Sequence, residues 1–385
     1  MRATAFIIFF SLFFAVYGLV NYYIFVRGWQ VIPSGSPWRR PYLVLFFILA
    51  FSYLAGRLLE RVWLSWASDV LVWMGSFWLA AMVYFLLIAV AFDALRLLNH
   101  LVPLYPVWIR QNYEVAKQVL ALSTVGLVTL ILVAGYVNAL SPRVRYLSFH
   151  IPKKVDGIRS LTVTVASDLH LGTIVGRRRV GRIVDTINGL NADLVLFPGD
   201  VVDEDLGPVF RENLGDSLKS IRSKHGVFSI TGNHEYIGGV EAACKYLAEH
   251  GITVLRDHVV RVDGGVYLVG REDRSISQFG GNKRKPLDEL LAGIDKSYPV
   301  ILLDHQPFRL SEGASLGADV QLSGHTHHGQ LWPFNHITRA VYEVSYGYLQ
   351  KGQTHVYVSS GLGTWGPPVR IGNRPEIVHL TLSFE

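Results

Sequence analysis

The chain has 385 residues, enough for about two or three domains with a sizeable buried core. Half of its residues are apolar and only 17% are charged, which excludes a disordered chain, a collagen-like repeat and a coiled coil. The single cysteine, Cys244, excludes an intramolecular disulfide framework and a cysteine-rich zinc finger.

Charge and histidine are distributed unevenly along the chain. Residues 1–140 contain 9 Lys and Arg against 4 Asp and Glu, whereas residues 141–385 contain 27 against 26. Of the 14 histidines, only His100 lies in the first part. We therefore predict a transmembrane domain over residues 1–140, a juxtamembrane linker over 141–158 and a soluble domain over 159–385.

Four apolar stretches in the first part predict membrane-spanning helices over residues 3–26, 41–59, 70–92 and 119–140. Three of them contain uncharged runs longer than the roughly 20 residues that a helix needs to cross a bilayer. The second uncharged run is shorter, and it reaches that length only if Arg57 extends to the interface. The alternative for each stretch is a buried core helix.

The basic residues near the ends of these stretches predict an orientation. Four spans place both termini on one side of the membrane, where eight Lys and Arg lie near the helix ends, against six on the other side. Because loops rich in Lys and Arg stay in the cytoplasm, the count favours a multi-pass protein of the cell membrane with a cytoplasmic soluble domain.

The second part alternates between β-branched apolar runs and segments with helical spacing, which predicts an α/β fold. The predicted helices cover residues 179–190 and 240–250. The predicted strands cover residues 161–166, 194–197, 227–230, 266–269, 300–303, 320–322, 355–358 and 377–382.

Polar clusters follow five of these strands, and ligands bind at the carboxyl ends of strands in open α/β sheets. Asp168 with His170, and His325 with His327, are two positions apart, so each pair is expected to share one face of a strand. Asp, His and Asn together suit manganese, iron or zinc better than calcium, and their number suits two ions. The clusters are DLH at 168–170, GDVVD at 199–203, GNHE at 232–235, DHQP at 304–307 and GHTH at 324–327.

These five blocks, in this order, resemble those of the calcineurin-like metallophosphoesterase superfamily, and residues 346–382 resemble its membrane-associated branch. The resemblance implies an αββα sandwich, with two mixed sheets flanked by helices. It implies that Asp200 bridges two metals and that His234 faces the scissile phosphate, oriented by Asp203. The remaining implied ligands are Asp168, His170 and His327 for the first metal, and Asn233, His305 and His325 for the second.

The resemblance also implies hydrolysis of a phosphodiester or pyrophosphate bond by a hydroxide that bridges two divalent ions. Mn²⁺ is the ion expected, with Fe, Zn or Mg as alternatives. The expected partners are the lipid bilayer and a phosphorylated small molecule or lipid. Nucleic acid is not expected, because the second part carries no strong basic excess. The alternative is a non-catalytic membrane sensor or scaffold, although every ligand position and His234 are present.

Four further positions carry separate predictions. Arg178 and Arg179 are predicted to bind substrate phosphate or lipid headgroups, with a solvated basic turn as the alternative, and Arg370 is predicted to hold substrate phosphate. His328 stands where the resembling branch usually has glycine, and we interpret it as an exposed loop residue, with substrate contact left open. The run Lys283-Arg284-Lys285 is interpreted as a solvated loop.

Overall fold

The structure, a computed structural model, describes residues 3–279 and 283–385, without the side chains of residues 3–6, 9, 10 and 263. Met1 and Arg2, at the start of the predicted transmembrane domain, lie outside the described residues. The chain divides into two compact units. The first unit ends at Tyr136 and includes Gly366–Val369, and the second contains Val137–Trp365 and Arg370–Glu385.

The first unit is helical. Its described helices are α1 (Ala3–Trp29), α2 (Arg39–Val62), α3 (Trp66–Leu101), α4 (Val107–Gln111) and α5 (Tyr113–Ala139), of which α5 continues into the second unit. Over the described residues, α2, α3 and α5 are long and apolar enough to cross a membrane. These three correspond to the second, third and fourth predicted stretches.

α1, which contains the first predicted stretch, is not among the helices that meet this criterion over the described residues. The side chains of residues 3–6, 9 and 10 near its start lie outside those residues, so the fourth predicted span stays a prediction. Asn21 is buried, and its Oδ1 accepts a hydrogen bond of 3.0 Å from Nε1 of Trp78 on α3. The predicted orientation assumed four spans, and it likewise stays a prediction.

Local sequence explains how α2 and α3 form a hairpin. Ser65 and Ser68 form a reciprocal capping box at the start of α3. A Cβ at Gly75 would collide with the backbone of Tyr53, so glycine at this position permits close approach of the two helices.

The second unit contains two six-stranded mixed sheets. The strand order is β1-β12-β2-β3-β4-β5 in the first sheet and β10-β11-β9-β8-β7-β6 in the second. The strands are β1 (Arg143–Ile151), β2 (Ser160–Val165), β3 (Leu194–Phe197), β4 (Val227–Ile230), β5 (Thr253–Leu255), β6 (His258–Val262), β7 (Val266–Gly270), β8 (Val300–Leu303), β9 (Val320–Ser323), β10 (Gly347–Lys351), β11 (Thr354–Val358) and β12 (Glu376–Phe384).

Short helices connect these strands. The α-helices are α6 (Arg177–Gly189), α7 (Leu206–Glu212), α8 (Gly215–Leu218), α9 (Asn233–Gly238), α10 (Val240–Glu249), α11 (Leu287–Leu291), α12 (Leu310–Ser315) and α13 (Asn335–Val341). Three 3₁₀ turns cover Asp263–Gly265, Arg274–Ser277 and His327–Gly329. Helix α6 buries four residues at the predicted spacing, Val180, Ile183, Val184 and Ile187.

The main core lies between the two sheets. Alternate residues of β2, such as Leu161 and Val163, pack in one buried cluster with alternate residues of β8, such as Ile301 and Leu303. Each sheet therefore contributes one face to a shared apolar layer. The prediction of two mixed sheets with flanking helices is confirmed.

Part of the predicted juxtamembrane linker is a strand. β1 pairs in parallel with β12, with Leu147 opposite Leu380, at the edge of the first sheet. Only two of its nine residues, Phe149 and Ile151, are buried, so its sequence lacks the clear alternation that predicts a half-buried strand.

Candidate metal centre

The five polar clusters follow β2, β3, β4, β8 and β9 directly. β2, β3 and β4 are parallel neighbours in the first sheet, and β8 and β9 are parallel neighbours in the second. Their carboxyl ends therefore bring the polar side chains of both sheets to one place, as the topology of α/β sites requires.

The backbone that positions these side chains is not the strand backbone that the sequence predicted. β2 ends at Val165 and β9 at Ser323, before the side chains concerned. Five of the predicted metal ligands adopt the left-handed backbone conformation. This conformation costs free energy in residues other than glycine and is concentrated at functional sites. Their φ values are 55° for Asp168, 51° for His170, 52° for Asp200, 70° for His325 and 44° for His327.

Asp168, His170 and His327 form the first group of possible metal ligands, with one ligand atom of each within 4.8 Å of the others. The Nε2 atoms of His170 and His327 are 2.9 Å apart, and Oδ1 of Asp168 is 3.6 Å from Nε2 of His327. Oδ2 of Asp168 is buried without a hydrogen-bond partner in the described part of the chain. Such an orphaned carboxylate oxygen beside two imidazoles fits a bound cation.

Asp200, His305 and His325 form the second group. Oδ2 of Asp200 is 3.0 Å from Nε2 of His305. Oδ1 of Asn233 is 2.8 Å from Nδ1 of His325 and 3.3 Å from Nε2 of His305, so the predicted amide ligand lies in the same group. Nδ1 of His305 donates a hydrogen bond of 2.7 Å to the carbonyl oxygen of Pro198, so Nε2 faces Asp200 and can bind a cation once it has lost its proton.

The Asp200 carboxylate lies between the two groups. Its Oδ2 is 3.9 Å from Nε2 of His170 in the first group, and 3.0 Å from Nε2 of His305 in the second. Both imidazoles therefore lie within 4 Å of one buried carboxylate oxygen.

Burial and neighbouring charge hold two of the histidines neutral, the form that binds metal. Burial, together with the charge of His305, lowers the pKa of His325 to about 3. Burial, together with the charges of His170 and Arg370, lowers the pKa of His327 well below its usual value.

His234 lies beside both groups and is hydrogen-bonded to Asp203. Its Nδ1 is 3.0 Å from Oδ1 of Asp203, and both side chains are buried. Burial alone lowers the pKa of His234, but the charge of Asp200 and the hydrogen bond to Asp203 outweigh it and raise that pKa to about 9. Asp203 does not cap a helix, because the N-cap of α7 is Asp205, which accepts a hydrogen bond from the Gly207 amide.

Glu235 is a site residue to which sequence reasoning assigned no role. Its buried carboxylate accepts hydrogen bonds from the backbone amides of Asp200 (3.1 Å), Val202 (3.0 Å) and Gly232 (2.7 Å). It thereby ties the loop after β3 to the loop after β4. A Glu three positions after a helix N-cap is a capping-box signature, so the spacing from Gly232 is the signal that could have found it.

Two glycines give the site the space that it needs. A Cβ at Gly324 would collide with Oγ of Ser167 and Oδ2 of Asp168. Gly199 has a φ of 88°, and a Cβ there would overlap the ring of His305. The glycines that precede the polar residues therefore let side chains of neighbouring loops approach closely.

Arg370 is placed behind the first ligand group. Its guanidinium is fully buried, donates hydrogen bonds to the carbonyl oxygens of Ser360 and Gly363, and lies 3.1 Å from Nδ1 of His327. Burial and the charge of Arg179 lower its pKa to about 9. The position favours a role in holding His327 rather than the predicted grip on substrate phosphate.

The two arginines at the start of α6 differ in environment. Arg179 donates hydrogen bonds to the carbonyl oxygens of Ala139 (3.0 Å) and Leu362 (3.3 Å) and to Oγ1 of Thr364 (3.3 Å). Arg178 is exposed to solvent. Of the pair, Arg178 has the position that suits the predicted contact with an external anion.

Two interpretations of loop residues are wrong. His328 is buried rather than exposed, and its Nδ1 is 3.0 Å from Oγ of Ser345. Arg284 is not simply solvated, because its guanidinium lies 2.6 Å and 3.1 Å from the two carboxylate oxygens of Asp304. The buried carboxylate of Asp304, next to the predicted ligand His305, holds Arg284 away from solvent. The polar sequence around Arg284 gave no sign of this ion pair.

Comparison with known proteins agrees with this geometry. The family model described as calcineurin-like phosphoesterase matches residues 161–329. An uncharacterized metallophosphoesterase of Aquifex aeolicus is 32% identical over 220 residues, which are 56% of this chain and 83% of the relative. An uncharacterized metallophosphoesterase of Helicobacter pylori is 36% identical over 230 residues, 58% of this chain and 60% of the relative.

A membrane relative is also similar. A transmembrane protein with metallophosphoesterase domain from Danio rerio is 31% identical over 263 residues, 65% of this chain and 60% of the relative. The match thus spans 60% of the length of the Helicobacter and Danio relatives. The chain belongs to the calcineurin-like metallophosphoesterase family.

Proposed function

We propose that this protein is a membrane-anchored phosphohydrolase with a binuclear metal centre, acting on a phosphodiester or pyrophosphate bond. The observation that carries the proposal is the position of Asp200, whose Oδ2 is within 4 Å of an imidazole nitrogen in each ligand group. A single three-residue cluster would suit one ion. Two clusters that share a buried carboxylate suit two.

The first ion would be held by Asp168, His170 and His327, and the second by Asn233, His305 and His325, with Asp200 common to both. Two divalent cations, when bound, lower the pKa of water and neutralise charge on phosphoryl oxygens. The mixture of carboxylate, amide and imidazole donors suits Mn²⁺, and also Fe, Zn or Mg.

The chain's own residues supply proton transfer and positioning. Asp203 accepts a hydrogen bond from Nδ1 of His234, which leaves the other ring nitrogen of His234 for the substrate. A protonated His234 can stabilise charge on a phosphoryl oxygen and give its proton to the leaving oxygen. The indole of Trp365 is largely exposed and lies 6.2 Å from the His234 ring, where it can contact the organic part of a substrate.

A lipid or lipid-linked substrate is proposed because the catalytic unit follows helices suited to a membrane. Three helices of the described chain meet the criterion for spanning a bilayer, and the Danio rerio relative is named a transmembrane protein. We propose that the protein is anchored in the cell membrane with its catalytic unit in the cytoplasm. A reporter fused to the C-terminus, active only on one side of the membrane, tests the orientation.

The central experiment measures hydrolysis of an aryl phosphodiester and of its monoester by the full-length protein, purified in detergent and loaded with Mn²⁺. The test variant is Asp200→Asn, and the matched control is Asp185→Asn, at an exposed position of α6. We expect wild type and control to hydrolyse the diester with about two ions bound per chain. The Asp200→Asn variant should lose turnover and bound metal.

The outcomes separate the alternatives. Preference for the monoester would replace the diesterase assignment by that of a phosphatase. Full metal content without turnover of either ester, or of a lipid-linked pyrophosphate, would support the non-catalytic sensor or scaffold. Equal activity in Asp200→Asn and wild type would overturn the binuclear proposal.

A further inference from the structure

A polar cavity lies within the second unit, apart from the candidate metal centre. None of the described residues that line it is a candidate metal ligand. Its volume is about 500 Å³. His327 and His328 are consecutive, yet Nε2 of His327 faces His170 in the metal centre while His328 lines this cavity. The cavity wall also contains Arg143, Arg339, Tyr346, Asn373 and Arg374.

The cavity is strongly basic. Among the described residues that line it, three are arginines and none is acidic. Arg143 shares the carboxylate of the buried Glu376 with Arg145: Oε2 of Glu376 is 3.2 Å from Nε of Arg145 and 3.9 Å from Nη2 of Arg143. Tyr346 also donates a hydrogen bond to the same oxygen. One carboxylate therefore leaves most of the arginine charge uncompensated.

Two features favour a built site, in which the half-buried Arg143 and the buried His328 stand beside the exposed Arg339 and Arg374. Nε of Arg143 is buried without a hydrogen-bond partner in the described chain, although burying an unpaired polar group is costly. His328 keeps a φ of 46°, a conformation that favours glycine, while its ring is held by Oγ of Ser345 and lies 3.5 Å from Arg339. Strain of this kind persists where the side chain is used.

We propose that this cavity is a second anion site, which binds the phosphate group of a ligand through Arg143, Arg339 and Arg374, with His328 in its wall. The planar guanidinium group matches the geometry of phosphate oxygens and binds them through paired hydrogen bonds. The site is separate from the metal centre, so it does not depend on the proposed hydrolysis.

The place of Arg143 in the chain suggests the source of the phosphate. Arg143 lies four residues after the end of α5 at Ala139, and α5 is long and apolar enough to cross a membrane. Four extended residues reach at most about 14 Å, so Arg143 stays within that distance of the helix end. An anionic phospholipid headgroup lies at that depth, and soluble phosphate offers the same chemistry.

The test is a binding measurement on the full-length, Mn²⁺-loaded protein in detergent. One arm titrates inorganic phosphate by calorimetry. The other measures retention of phosphatidylglycerol, with phosphatidylcholine as the zwitterionic reference, in mixed micelles. The variant Arg143→Gln/Arg339→Gln is compared with Arg182→Gln/Arg222→Gln, which removes the same charge at positions elsewhere in the unit.

We expect wild type and control to bind equally, and the cavity variant to bind one of the two ligands about tenfold more weakly or not at all. If the cavity variant retains less phosphatidylglycerol than wild type but binds the same number of phosphate ions, the ligand of the cavity is a lipid headgroup. If the cavity variant binds one phosphate ion fewer than wild type but retains as much lipid, the ligand of the cavity is soluble. Unchanged binding of both ligands overturns the proposal.

If the double variant fails to fold, as judged by circular dichroism, the same two titrations are read on Arg374→Gln, which alters an exposed arginine. If the protein binds a normal amount of metal but hydrolyses neither ester, the two binding measurements can still be made. The second anion site and the proposed function can therefore fail separately.

Discussion

Nδ1 of His234 lies 3.0 Å from Oδ1 of Asp203, and Nδ1 of His170 lies 3.7 Å from the same oxygen. One buried carboxylate thus faces both the proposed proton donor and a metal ligand. It can fix the orientation of the His234 ring and favour its protonated form.

Asp203→Asn should lower kcat/KM for the aryl phosphodiester by about 10–100-fold, because His234 loses the charge that orients it. The control is Asp205→Asn, which changes the N-cap of α7 two residues away. Steady-state kinetics with metal content measured in parallel are the check. A variant as active as the control would mean that Asp203 has no part in turnover.

Gly324→Ala should reduce bound metal sharply, because the added Cβ would occupy the space of Oδ2 of Asp168 and Oγ of Ser167. Gly181→Ala is the matched control, since a Cβ there meets nothing within 4 Å and lies within α6, where alanine is favoured over glycine. Elemental analysis of both purified variants measures the effect. Normal metal content in Gly324→Ala would contradict the assignment of Asp168 as a ligand.

Arg370→Lys separates a positioning role from substrate binding. Because lysine cannot reproduce the donors shared among His327, Ser360 and Gly363, we expect the affinity for metal to fall by about 10–100-fold, with little change in KM once metal is saturating. Competition with a chelator measures the affinity, and Arg182→Lys on α6 is the control. A raised KM at unchanged metal affinity would instead support contact with substrate phosphate.

Asp304→Ala should destabilise the catalytic unit by about 3–5 kcal/mol, because it leaves the mostly buried Arg284 without its carboxylate partner and Arg271 with only Glu312, at 3.7 Å. Glu343→Ala removes a more exposed partner, that of Lys351, and should cost about 0–1 kcal/mol. Urea unfolding with a chelator present compares the two without a contribution from metal. Equal unfolding midpoints would show that the Asp304 pairs contribute nothing to stability.

Strands buried on both faces were the best-predicted elements of the fold. β3, β4 and β8 begin and end at the predicted residues, because short apolar runs bounded by turn residues have few alternatives. β1 and β10 were not predicted, since each lies at a sheet edge and is partly exposed, so their pairing depends on partners far away in the sequence. The burial of Asn21 within the apolar helix α1 likewise depends on contact with another helix, through its hydrogen bond with Trp78.

The sequence by itself indicated which side chains come together, because Asp, His and Asn follow buried strands whose carboxyl ends are the usual place for a site in α/β sheets. It did not determine how they converge, since left-handed backbone at Asp168 and His325 is fixed by contacts between loops. Only the tertiary structure decided that Asp200 lies between two ligand groups and that Arg370 faces inward. Those outcomes depend on distances between residues far apart in the chain, and local propensity carries no information about such distances.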